Sequence, residues 1–103
     1  MTPSQQLRRW YNYYNKKYFN SELPTDITLR WELCHEDAAD TFVGNERAIQ
    51  ISVDPGLINF SCYAQAALLH EMIHVKYPRF LHGKEFKAEL KRLMDDGAFD
   101  KLL

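Results

Sequence analysis

The stretch from Cys62 to Tyr77 carries Ala64, Ala67, Leu68, Leu69, Met72, Ile73 and Val75, which point in almost every direction around a helix. A helix apolar all round is a buried helix, so any fold open to this chain must be built around it. Ser61 is placed to cap its start and Pro78 to stop it. Inside this element stand His70, Glu71 and His74. Buried polar or charged groups left unpaired cost several kcal/mol, so these side chains need partners. Residues four apart lie one turn above each other on the same helix face, so both imidazoles can point to one metal ion. Glu71, about a quarter-turn round, can reach a metal-bound water without ligating the metal. A zinc ion would satisfy the histidines and turn the burial cost into binding energy.

A catalytic zinc usually has three protein ligands and an open position for water. Two histidines remain to supply the third. His82 lies just before a further helix, in His82-Gly83-Lys84-Glu85-Phe86, and Gly83 permits close backbone approach. The segment from Tyr77 to Leu81 is long enough to fold back on the metal-binding helix. His82 is therefore the expected third ligand, with Glu85 as the carboxylate alternative. His35, in acidic surroundings at the end of a strand, reads as a surface loop histidine.

The flanking elements follow from periodicity. Thr2, Pro3 and Gln5 form a capped helix start. Leu7, Trp10, Tyr11, Tyr14 and Tyr18 then recur as one bulky stripe, read as core, until Asn20-Ser21 and Pro24 end the helix. Ile27, Leu29, Trp31 and Leu33 alternate with polar residues as in a half-buried strand. Thr41–Val43 and Ile49–Val53 suit a hairpin turned at Gly44-Asn45. Asp54-Pro55-Gly56 closes the strand region. A last helix from about Lys84 buries Phe86, Leu90, Leu93 and Met94 and stops at Asp96-Gly97. The order predicts a single α+β domain over residues 1–103. Its N-terminal and C-terminal helices should pack with the buried helix against a small, mainly antiparallel sheet of about three strands.

At 103 residues the chain holds one core and not two. No apolar run approaches the roughly 20 residues that span a bilayer, and no signal-peptide core precedes the first helix. The expected setting is cytoplasmic. Cys34 and Cys62 allow at most one disulfide, which excludes a cysteine-stapled secreted scaffold, and free thiols are expected. The net charge of −1 excludes a histone-like nucleic-acid binder, but residues 76–92 carry a local net charge of +4. A clustered patch can steer a polyanion even on a neutral protein. Lys84, Lys87 and Lys91 are its candidate DNA contacts.

The run LLHEMIHVKYPRFLHGKEFKAELKRL resembles the active-site region of the SprT-like zinc metallopeptidases, the family of the Spartan proteases. Upstream, YNKKYFNSELPTDITLRW is similar to that family's N-terminal segment. Arg47-Ala48-Ile49-Gln50-Ile51-Ser52 resembles the strand before its active-site helix. The resemblance spans nearly the whole chain and implies a minimal zincin-like domain. It implies one Zn2+ per chain on His70, His74 and His82, with Glu71 as general base. It also suggests action on DNA-associated proteins. That family often carries a C-terminal zinc ribbon or DNA-binding extension. No cysteine follows Cys62 in these 103 residues, so the expectation is a bare catalytic domain or a fragment of a longer protein.

The expected activity is zinc-dependent hydrolysis of polypeptides, a metalloendopeptidase of the H-E-x-x-H type. Zinc lowers the pKa of a bound water and polarises the scissile carbonyl, while Glu71 moves the water proton to the leaving amine. An extended substrate pairing along an exposed sheet edge would be read through its main chain, which predicts broad specificity. Tyr77 and Arg79, close behind the helix, are candidates to stabilise the oxyanion. The rival reading is a catalytically silent, zinc-stabilised protein- or DNA-binding module. The sequence leaves oligomeric state open.

Overall fold

Thr2 opens the first helix, α1 (Pro3–Tyr18), with both halves of a capping box formed: its hydroxyl accepts from the Gln5 backbone N–H, and the Gln5 side chain accepts from the Thr2 N–H. The computed structural model describes residues 1–34, 37–43, 49–77 and 83–102. The expected stripe of α1 faces inward, with Leu7, Tyr11 and Tyr14 buried and Trp10 and Tyr18 packed half-buried against the core. Asn20 and Ser21 then take left-handed backbone conformations, φ 51° and 59°, and turn the chain. The buried Asn15 side chain pins the return by donating to the Leu23 carbonyl at 3.0 Å and accepting from the Leu23 N–H at 3.1 Å.

Three strands follow: β1 (Thr28–Trp31), β2 (Ala39–Val43) and β3 (Ile49–Val53). The sheet order is β1-β3-β2, with β2 antiparallel and β1 parallel to the central β3. The α+β class is as expected, but the sheet is mixed: one of its two pairings is parallel. A run of alternating apolar residues looks the same in either orientation. Leu33 differs from its expected inward position and is 65% exposed. The β1–β3 ladder closes at Trp31 opposite Val53, and the turn at Asp54 then carries β3 away, leaving Leu33 no strand to pair with. Residues Gly44 and Asn45, the expected hairpin turn, lie outside the described residues.

A short 3-10 turn at Pro55–Leu57, capped by Asp54, leads into the buried helix α2 (Ser61–Lys76). Ser61 is not its cap. Phe60 holds that position without a side-chain hydrogen bond, and Ser61 is the first helical residue. As expected, α2 buries residues on nearly all sides, from Ala64 through Leu68, Leu69, Met72 and Ile73 to Val75. It packs on β2 and β3 on one side and on α1 and α3 (Lys84–Asp95) on the others.

Helix α3 buries Phe86 and Leu93 and half-buries Leu90, but Met94 is 53% exposed. The buried position on the adjoining turn is Glu89, which Arg92 and Lys76 neutralise. Burial pushes the Glu89 carboxyl up, and the two cations outweigh that and hold it below the usual range. Arg92 also donates to the Tyr18 carbonyl at 2.6 Å, so one guanidinium clamps α1, and through Glu89 and Lys76, α2 and α3. Gly97 closes α3 with φ 85°. The Ala98 N–H bonds the Leu93 carbonyl at 2.9 Å and the Gly97 N–H bonds the Met94 carbonyl at 3.2 Å. This paired pattern reverses the chain at a helix C-terminus and needs a residue that tolerates positive φ.

Candidate metal centre

His70, Glu71 and His74 stand on α2 where the helix passes beneath β2. Their donor atoms lie within 4.8 Å of one another. The His70 and His74 rings are 5.1 Å apart between centroids and inclined at 66°. Phe86 of α3 packs against both, at 5.0 Å from His70 and 4.6 Å from His74. Buried itself, Phe86 limits how far either imidazole can rotate.

Glu71 is 6% exposed. The Thr41 hydroxyl on β2 donates to Glu71 Oε1 at 2.8 Å and lies 3.3 Å from the Glu71 backbone carbonyl. Oε2, the other carboxylate oxygen, is 3.9 Å from His70 Nε2. One oxygen is thus tied to the sheet and the other faces the imidazole. Burial pushes the Glu71 carboxyl up to about 7, with the Thr41 hydrogen bond opposing and Asp40 and Asp37 adding to the rise. A carboxyl titrating near neutrality is able both to take and to release a proton at physiological pH.

The donor set suits zinc, which takes neutral imidazole nitrogen and carboxylate oxygen. Donors this close can converge on one ion, and a divalent charge there would offset the burial of Glu71. His82, the expected third ligand, lies outside the described residues, as do Arg79 and His35. Glu85 is exposed on the first turn of α3 and is not part of the cluster formed by the described residues. Tyr77 packs half-buried against the core with the Lys76 ammonium 5.7 Å from its ring centroid, and it is not among the described residues that line the cleft. Lys84, Lys87 and Lys91 are exposed on α3, and Lys91 is paired with Asp95 at 2.8 Å.

A cleft of about 1020 Å³ opens beside the cluster. One wall is β2 with Asp37 and Ala38, the floor is the α2 face bearing His70, Glu71 and His74, and Leu90 and Phe99 stand opposite. No described strand pairs with the outer side of β2. Thr41, Asp40 and Phe99 are site residues that sequence reasoning missed. Only Thr41 left a trace there, as the first residue of the expected strand Thr41–Val43, and that trace does not name Glu71 as its partner.

The α+β, zincin-like fold is shared with solved structures, two of which are metallopeptidase zymogens. The metallopeptidase zymogen abylysin from Pyrococcus abyssi superposes with a TM-score of 0.68 at 15% identity, covering 93% of this chain and 87% of that one. The zymogen jannalysin from Methanocaldococcus jannaschii gives 0.64 at 16% identity, with 93% and 82% covered. No protein-family model and no curated protein matches the chain. Among the described residues no helix is long and apolar enough to cross a membrane.

Proposed function

We propose that this protein is a zinc-dependent metallopeptidase that hydrolyses polypeptides, of the SprT-like subtype whose motif it resembles. The observation that carries the reading is Glu71: a buried carboxyl, one oxygen held by Thr41, the other turned toward an imidazole pair at the foot of a cleft. A purely structural zinc site has no use for such a group. His70 and His74 would hold the ion, with His82 as the proposed third ligand. When bound, zinc supplies Lewis acidity, lowering the pKa of water and polarising the scissile carbonyl.

The chain's own groups do the rest. The outer side of β2 offers unpaired main-chain groups to an extended peptide, which would add as a further strand. That places a peptide carbonyl over the α2 face. Glu71 Oε2 takes a proton from the attacking water and delivers it to the amine nitrogen as the C–N bond breaks. Phe86 keeps the imidazoles in position from behind.

Zinc content near one per chain is expected. It should fall sharply in His70→Ala, His74→Ala and His82→Ala. Glu71→Gln should retain metal and lose peptidase activity toward an unfolded protein. An active Glu71→Gln variant would leave the proposed base without a role.

A further inference from the structure

The register of the sheet decides which main-chain groups of β2 are already paired. The Asp54 N–H bonds the Ala38 carbonyl at 2.8 Å, and the Glu32 N–H bonds the Val53 carbonyl at 3.0 Å. On β3, then, Ile51 and Val53 turn their main-chain groups toward β1, while Gln50 and Ser52 turn theirs toward β2. Opposed residues of an antiparallel pair alternate between exchanging both hydrogen bonds and exchanging none. Asp40 and Phe42, opposite Ser52 and Gln50, are therefore the bonded residues of β2. Ala39, Thr41 and Val43 aim their N–H and C=O groups at the open edge.

Thr41 thus joins two functions in one residue. Its main chain is the middle outward-facing unit of the edge, and its hydroxyl holds Glu71 Oε1 at 2.8 Å. That hydroxyl has one proton and two acceptors in reach, the second being the Glu71 backbone carbonyl at 3.3 Å. Which acceptor it serves depends on where β2 sits over α2. A β-branched side chain is stiff about its first torsion, so a change in the Thr41 backbone reaches the hydroxyl with little slack. Among the described residues, β3 alone holds β2, and a peptide added on the other side would fix Thr41 from both. We infer that Thr41 is a positioning residue that couples substrate capture to alignment of the base. Main-chain bonds from the added peptide at Thr41 hold its hydroxyl on Oε1, so strand pairing is expressed in turnover as well as in affinity. The inference rests on the peptidase reading and deepens it: the same contact that captures the chain sets the group that cuts it.

An ester scan of the substrate separates the two effects. The zinc-loaded protein is given copies of one unfolded peptide in which each amide except the scissile one is replaced in turn by an ester, removing one N–H. At the position facing the Thr41 carbonyl, the ester should lower kcat by about tenfold in the parent. In Thr41→Val, where the hydroxyl link is already gone, the same ester should raise KM and leave kcat within about twofold. Thr41→Ser should behave as the parent, and Thr41→Ala replaces Thr41→Val if the latter does not fold. A kcat loss of equal size with and without the hydroxyl, or no ester that lowers kcat, overturns the coupling and leaves the peptidase standing. A second arm needs no turnover and compares NMR spectra of Glu71→Gln in excess zinc with and without the all-amide peptide. Peptide should slow amide exchange at Ala39, Thr41 and Val43 by at least about tenfold, while Asp40 and Phe42, already bonded to β3, change little. The side-chain amide introduced by Glu71→Gln should shift on peptide addition, and Thr41→Val should abolish that shift. New protection at Asp40 and Phe42 instead, no protection at all, or a shift that survives Thr41→Val overturns the inference. Where cleavage is absent throughout, a peptide-induced shift that depends on Thr41 upholds the coupling and sinks the peptidase reading.

Discussion

The hydroxyl of Thr41 and the Oε1 oxygen of Glu71 lie 2.8 Å apart, joining β2 to the helix beneath it through a single hydrogen bond. The rotamer of Glu71 is thus set from outside its own helix, and the free oxygen is the one that faces His70.

Thr41→Val keeps the shape of the side chain and removes the donor. Misplacing a reacting group by a fraction of an ångström costs roughly 10- to 100-fold in rate. We expect kcat to fall by that factor with KM and zinc content little changed, and Thr41→Ser to restore most of it. A Thr41→Val variant of normal kcat would show that the carboxylate is oriented by other means.

Glu71 also contributes to the pH dependence of the metal-free protein. Its carboxyl is held near 7 in the folded state against 4.5 in the unfolded chain, mainly by burial. The folded state therefore binds the proton more tightly, and stability contributed by the neutral acid is lost as pH rises from 4.5 to about 7. Glu71→Gln removes that loss. In chelator it should be more stable than the parent at pH 8, by on the order of 2 kcal/mol, and no more stable at pH 4. Urea unfolding at the two pH values reads the difference.

The cysteines should separate by reactivity. Cys62 is exposed, whereas Cys34 is buried and its thiol donates to the Glu32 carbonyl at 3.2 Å. Burial, reinforced by Asp40, pushes Cys34 up to about 11. The raised thiol and its burial both disfavour Cys34 as a nucleophile. A disulfide reagent at pH 8 should titrate one thiol in native protein and two in denaturant. Two fast thiols in native protein would contradict the packing around Cys34.

Gly97→Ala tests the turn that carries Phe99. An L side chain at φ 85° is strained, and its Cβ would meet Asp100 Oδ2 at 3.1 Å. A loss of about 1 kcal/mol in stability is expected from the backbone alone. A thermal midpoint equal to that of the parent would mean the turn relaxes freely.

What could be read in advance follows the range of the forces involved. The imidazole pair and Glu71 are four and one residues apart on one helix, so spacing alone brings them together. Thr41 is thirty residues from Glu71 and meets it only because β2 crosses above α2. Alternation found β1 and β3 but is blind to whether they run parallel. It also turned Leu33 inward, where the ladder had already ended, and helical spacing did the same to Met94, where the neighbouring turn buries a neutralised Glu89 instead. Phe99 carries no signal of its own, because its place depends on how far Gly97 bends the chain.

If the proposed strand addition on the open side of β2 holds, the state of a target matters as much as its composition. Native proteins keep their strands already mated, so they have little to lend such a margin, while a denatured or nascent polymer has many eligible stretches. Under the proposed peptidase reading, selection of that kind would sort unfolded molecules from folded ones before any amino-acid preference is consulted.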